Sequence, residues 1–222
     1  CIRDSRVAAP SSTLANVQPA AKRMNYADFL RATGAPIYEG AGTVWTRYKG
    51  GLVCANLYPE WVEMDALSAA KLLSATGARF VRWNSEPAQE PLDWWWVLCS
   101  AYDRDQLTPK MRNQIRRALR SCNVRPVTGR WLAVNAYGCY RNAYRRYTNA
   151  TSVSLEAFKT TMLSTEGYED LFEYWGVFVG GQLAGYAKCV VEDKGVSTTA
   201  IKFDPSLLRY YPAYALMDTL LN

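Results

Sequence analysis

The chain has 222 residues, of which 49% are hydrophobic and 21% charged, enough to bury a real core in one large domain or two small, tightly joined ones. It contains no histidine, which excludes Ser-His-Asp and Cys-His nucleophile systems and every histidine-ligated metal site. The net charge of +6 suits an anionic partner without naming one.

Residues 1–24 are small, polar and proline-bearing (APSSTLANVQPAAKR) and read as an extended or poorly ordered segment. No signal-peptide pattern opens the chain, and the apolar run WWWVLCSAY at 94–102 is far shorter than a membrane span. A cytoplasmic protein with no membrane span is therefore expected. The chain starts at Cys1 rather than Met and stops at Asn222 inside the helical pattern ALMDTLLN, which reads as a trimmed chain that continues further. The six cysteines are scattered and form no CxxC pair, so reduced thiols and no metal are expected.

Residues 26–33, YADFLRAT, predict a short helix ended by Gly34. In TVWTRYKGGLVCANLY, two β-rich runs flank Lys49-Gly50-Gly51, a hairpin signal. Asp65 is placed to cap the helix ALSAAKLLSAT, and Gly77 to stop it. A strand RFVRWN at 79–84 and a buried strand through WWWVLCSAY follow, with Trp94, Trp95 and Trp96 read as structural. Residues 25–104 thus form a reduced N-terminal α/β half, and 105–222 a larger C-terminal half.

The clearest helix runs from about Thr108 to Cys122. Leu107, Met111, Ile115, Ala118, Leu119 and Cys122 fall on one side, and Lys110, Arg112, Arg116, Arg117 and Arg120 on the other. A second helix, 132–147, carries Tyr137, Tyr140, Tyr144 and Tyr147 in one stripe flanked by Arg141, Arg145 and Arg146. A third, near 155–164, begins after Ser154. Then comes a meander: YWGVFV, the turn Gly180-Gly181, QLAGYAKCVV, a turn at 192–195, and VSTTAIKF. The stretch DPSLLRYYPAYAL leads into a last helix from about Pro212. If Val179 pairs with Gln182 and Val191 with Val196, then Gly176, Gly185 and Lys202 line up on one face. Two adjacent glycines would leave a dip where a thin ligand approaches, with Lys202 at its edge, or where another element packs closely.

The strand–Gly-Gly–strand–turn–strand–loop–helix run at 174–222 resembles the central part of GNAT-fold N-acyltransferases. LTPKMRNQIRRALRSCNVRPV resembles the linking helix of the Fem-type, two-half members, which carry a similar K-x-R-x-x-I-R-x-A pattern. The resemblance covers about 40–222 and rests on element order more than on residue identity. It implies an α+β protein: a mixed, mainly antiparallel sheet flanked by helices, preceded by a smaller GNAT-like α/β half. It also implies transfer of an acyl or aminoacyl group from acyl-CoA or aminoacyl-tRNA to a small-molecule or peptide amine. A carboxylate takes the ammonium proton and a tyrosine protonates the leaving group. On this sequence those roles fall to Asp204 and Tyr211, with Lys202, Arg209, Gly176 and Gly185 on the donor side. Lys110, Arg112, Arg116 and Tyr144 fall on the substrate side. The family's phosphate loop, Q/R-x-x-G-x-G/A, is matched at Arg209 but departs at Pro212 and Tyr214. Pro212 donates no N–H and Tyr214 adds bulk, which puts ordinary acetyl-CoA binding in doubt. An RNA-binding module using the 108–122 helix, or a GNAT-like protein without catalysis, would carry the same features. Each candidate also has a plainer role: the arginines as a solvated face, the tyrosines as core edge, Asp204 as a turn starter.

Overall fold

The computed structural model describes residues 24–57, 61–85 and 99–222. Its described part is α+β, with two four-stranded sheets that are mainly antiparallel and flanked by helices.

The first sheet contains β1 (Ile37–Gly40), β2 (Thr43–Tyr48), β3 (Gly51–Cys54) and β4 (Val81–Arg82), in that order. Lys49 and Gly50, both with positive φ, make the two-residue turn between β2 and β3. From β3 the chain crosses through α2 (Ala66–Thr76) to β4, which lies parallel to β3. The expected caps are in place: the Asp65 carboxylate accepts from the Ser68 N–H, and Gly77 closes the helix with φ 64°. Trp45 and Leu52 are wholly buried under α2 and its neighbours.

Two expectations for this half are corrected. The strand at 79–84 shrinks to Val81–Arg82, since only Leu52 and Val53 of β3 pair with it. Residues 99–102 form no strand, and Cys99 is exposed. Instead Tyr102 and Arg104 are drawn to the far end of the chain, as described below. Trp94, Trp95 and Trp96 lie outside the described residues.

The second sheet is wholly antiparallel, in the order β5 (Cys122–Val127), β6 (Phe172–Val179), β7 (Gln182–Glu192), β8 (Gly195–Phe203). One face carries α4 (Gly129–Asn135), α5 (Tyr137–Tyr144) and α6 (Leu155–Leu163). The other carries α3 (Pro109–Ser121) and α7 (Pro212–Leu221). Thr108 caps α3, whose Ile115 and Ala118 are buried as the periodicity requires. Met111 and Leu119 stay 39% and 42% exposed, so the inward stripe is narrower than expected. The predicted helix 132–147 is two helices that meet at Ala136; Tyr137, Tyr140 and Tyr144 belong to the second, and Tyr147 lies just past its end.

α1 (Tyr26–Ala32) ties the chain start to this sheet. Asn25 and Asp28 form a capping box, and the Phe29 ring meets Phe172 edge-on with centroids 4.7 Å apart. Ala55, Ile37 and Val44 of the first sheet join the same core, so one apolar cluster spans both sheets.

Val179 pairs with Gln182 and Val191 with Val196, as expected. The register then shifts by one residue in each ladder, between Val177 and Phe178 and between Lys188 and Cys189. A bulge moves every later partner by one. Gly176 therefore faces Tyr186, which faces Lys202, while Gly185 pairs with Val177 and Phe203. The expected row of Gly176, Gly185 and Lys202 does not form. A methyl group added at Gly185 would meet the Phe203 ring at 2.2 Å, and one at Gly176 the Phe178 ring at 2.8 Å. The dip is filled by neighbouring aromatic rings.

Candidate functional site at the corner of β8 and α5

β8 ends at Phe203, and the chain turns at Asp204 into a 3-10 helix, Pro205–Tyr210. Asp204 is 5% exposed. One carboxylate oxygen accepts from the Ser206 N–H at 2.9 Å and the Ser206 hydroxyl at 2.7 Å. The other accepts from the Asn142 amide at 2.7 Å, which binds the loop to α5. Burial pushes the Asp204 pKa up, but the bonds from Asn142 and Ser206, with the charge of Arg145, outweigh it and leave the group below its ordinary value. Asp204 is thus an ionised carboxylate held at a helix–strand corner. Asn142 gave no signal in the sequence, since a lone asparagine among tyrosines and arginines has no periodic signature.

Lys202, two residues before Asp204, sends its ammonium over two rings of the stripe. It lies 4.6 Å from the Tyr144 centroid and 5.0 Å from that of Tyr147. The stripe is continuous, with centroid distances of 6.1 Å (Tyr137–Tyr140), 4.8 Å (Tyr140–Tyr144) and 5.1 Å (Tyr144–Tyr147). The corner therefore joins an ammonium, a carboxylate and a wall of phenols. Cys139 lies beneath them; burial, then the Asp204 charge, pushes its thiol up to about 12, which keeps it protonated and poorly nucleophilic.

Tyr211 occupies the other end of the 3-10 helix. At about 2.0 Å per residue it lies roughly 14 Å along the backbone from Asp204. Its backbone is left-handed, with φ 60° and ψ 42°. The Arg117 guanidinium stacks on its ring at 5.0 Å and donates to its hydroxyl at 3.5 Å. Arg209 stacks on Tyr210 at 4.9 Å. The structure therefore sets Lys202 over Tyr144 and Tyr147, ties Asp204 to Asn142 of the same helix, and groups Tyr211 with Arg117 on a second side of the corner, while Arg209 lies on Tyr210. Lys110 and Arg116 are exposed on α3, and Arg112 donates to the Asp105 carbonyl.

The start of α7 differs from a phosphate cradle. Pro212 has no N–H, and the N–H groups of Tyr214 and Ala215 point to the Tyr211 carbonyl. That leaves Ala213 among the first four helical residues, too few donors to grip a pyrophosphate in the usual way. Among the described residues no group of three His, Cys, Asp or Glu side chains could hold a metal ion. Among the same residues, no helix is long and apolar enough to cross a membrane.

No family model matches the sequence. No curated protein matches it either. The fold does have a solved counterpart: the C-terminal domain of a protein from Agrobacterium fabrum described as a candidate lysylphosphatidylglycerol synthetase. The two superpose with a TM-score of 0.50 over 89% of this chain and 70% of the other, at 8% sequence identity. At that identity the likeness concerns the fold, which is α+β and consistent with the GNAT-like architecture.

Proposed function

We propose that the protein is a transferase that moves an aminoacyl or acyl group from an activated ester or thioester to an amine. The observation that carries this reading is the corner where β8 meets α5. There Asn142 of α5 holds the ionised Asp204, and two residues earlier the Lys202 ammonium lies over the Tyr144 and Tyr147 rings. The fold of a domain described as a lysylphosphatidylglycerol synthetase supports it at the level of aminoacyl transfer.

In this reading the amine approaches Asp204, whose charge stabilises the positive charge that grows on nitrogen as it attacks the carbonyl. The pKa of Asp204 is depressed, so the carboxylate serves electrostatically, and the proton passes on to solvent. Lys202 offsets the negative charge on the carbonyl oxygen. Tyr211, held by Arg117 at the far end of the 3-10 helix, is too distant from Asp204 to share the reacting centre, and the leaving group takes its proton from solvent. The poor donor set at the start of α7 favours an aminoacyl ester over acyl-CoA as the donor.

The test is donor consumption in the presence of a panel of amines, with aminoacyl-tRNA and acyl-CoA offered separately. Asp204→Asn should lower amine-dependent turnover by about 100-fold or more, the scale of losing one preorganised electrostatic group. Equal turnover by the variant and the native protein would contradict the assignment.

A further inference from the structure

At the end of the sheet that holds the Gly180-Gly181 turn, a cleft of about 410 Å³ opens between the C-terminal turn of α3, β5 and the β6–β7 hairpin. Arg120, Asn123, Arg125, Phe178 and the two turn glycines line it. Both arginines are exposed. The Arg125 guanidinium lies on the face of Phe178, 4.5 Å from the ring centroid, and Trp131 braces that ring edge-on at 5.5 Å. An arginine stacked in this way has its fork of N–H donors pre-aimed, and loses less freedom when it binds an anion. Arg116 stands one turn before Arg120, about 6 Å along the axis. Arg117 lies between them in sequence, over Tyr211. α3 has no Asp or Glu in its thirteen residues, and Arg116, Arg117, Arg120 and Arg125 form no ion pair among the described residues.

We infer that this cleft and the adjoining arginine row bind the phosphodiester backbone of a single-stranded nucleic acid, with one phosphate held between Arg120 and Arg125. A lone phosphate would engage only the cleft. Charges that continue to Arg116 at turn-by-turn spacing match a polyanion whose charges also repeat. Guanidinium forks suit phosphate oxygens, which they grip bidentately. The buried Phe178 acts as a seat for Arg125 rather than as a stacking platform for bases, so the contact is to backbone and tolerant of sequence. This inference stands on the arginine row and not on the transfer chemistry; binding is measured without turnover, so either can fail alone.

The experiment is fluorescence anisotropy with a labelled 12-nucleotide single-stranded RNA, across a salt series, with inorganic phosphate and adenosine 3′,5′-bisphosphate as competitors. Arg120→Ala/Arg125→Ala should weaken binding at least 10-fold at low salt. It should also flatten the slope of log K against log salt by about 0.7, the contribution of the one single-strand phosphate that the two arginines hold. The RNA should bind more tightly than either small competitor. Arg130→Ala removes an exposed arginine that pairs with Glu166 away from the cleft, and should change neither quantity. Unchanged affinity and slope in the double variant would overturn the inference. So would an equal loss in Arg130→Ala, or small competitors that bind as tightly as the RNA. Both cleft arginines are exposed, so melting temperatures should match; if the double variant does not fold, Arg120→Gln alone should still weaken binding and flatten the slope, by no more than about 0.7.

Discussion

Lys188, in the middle of β7, is an amine that the proposed chemistry does not use. Its ammonium sits 4.6 Å from the Phe172 centroid and 6.0 Å from that of Tyr174, and burial pushes its pKa down to about 8. In the unfolded chain a lysine titrates near 10.4. Between those values the unfolded chain holds a proton that the folded protein has lost, so stability rises with pH through this window, by up to about 3 kcal/mol. Below pH 8 the burial cost is fully present. Lys188→Met should therefore raise the unfolding midpoint in urea at pH 7 and flatten the pH dependence between 8 and 10. A midpoint that falls, or an unchanged pH profile, would show that the cation–aromatic contacts outweigh burial. Asp204 behaves in the opposite sense. Its depressed pKa contributes stability that is present above about pH 4 and lost as acid protonates it. The burial and partners of neither group could be read from sequence, because they are set by the sheet rather than by the residue, although the position of Asp204 at the turn could.

At the level of elements, capping and periodicity carried most of the information. Asp65, Gly77, Thr108, Pro109 and Ser154 mark helix ends where local backbone chemistry alone decides the outcome. The three-strand meander was legible for the same reason, since its turns are local. The two bulges were not legible: they respond to sheet twist and to packing on both faces, and so the inferred row of glycines failed by one residue. The glycines themselves give a sharp test. A methyl at Gly185 would meet not only the Phe203 ring but the Lys202 carbonyl oxygen at 2.7 Å, which is fixed backbone. One at Gly176 would meet the tip of Phe178 and Val127, side chains that can shift. Gly185→Ala should destabilise by about 1–3 kcal/mol and Gly176→Ala by less, read from chemical unfolding. The reverse order would mean that the observed register is wrong.

Across the whole molecule, the ends of the described chain are fastened to the second sheet. Glu192 accepts from the Tyr26 N–H at the start of α1. Asp218 on α7 is 3% exposed and accepts from Nε and Nη2 of Arg104, at 2.9 and 2.7 Å, and from the Tyr102 hydroxyl at 2.8 Å. This charged clasp holds the segment before α3 against α7, and α3 in turn presents the arginine row. Long-range links of this kind have no sequence signature, as Tyr102 and Asp218 lie 116 positions apart. Fold class and element order were therefore readable, whereas the partners that fix the corner were not. The central claim is that donor and amine meet where β8, the 3-10 helix and α5 converge. Hydrogen–deuterium exchange with and without a non-hydrolysable aminoacyl-adenosine analogue tests it most directly. Protection should concentrate in residues 137–147 and 202–214; protection confined to other segments, with this corner unchanged, would contradict it.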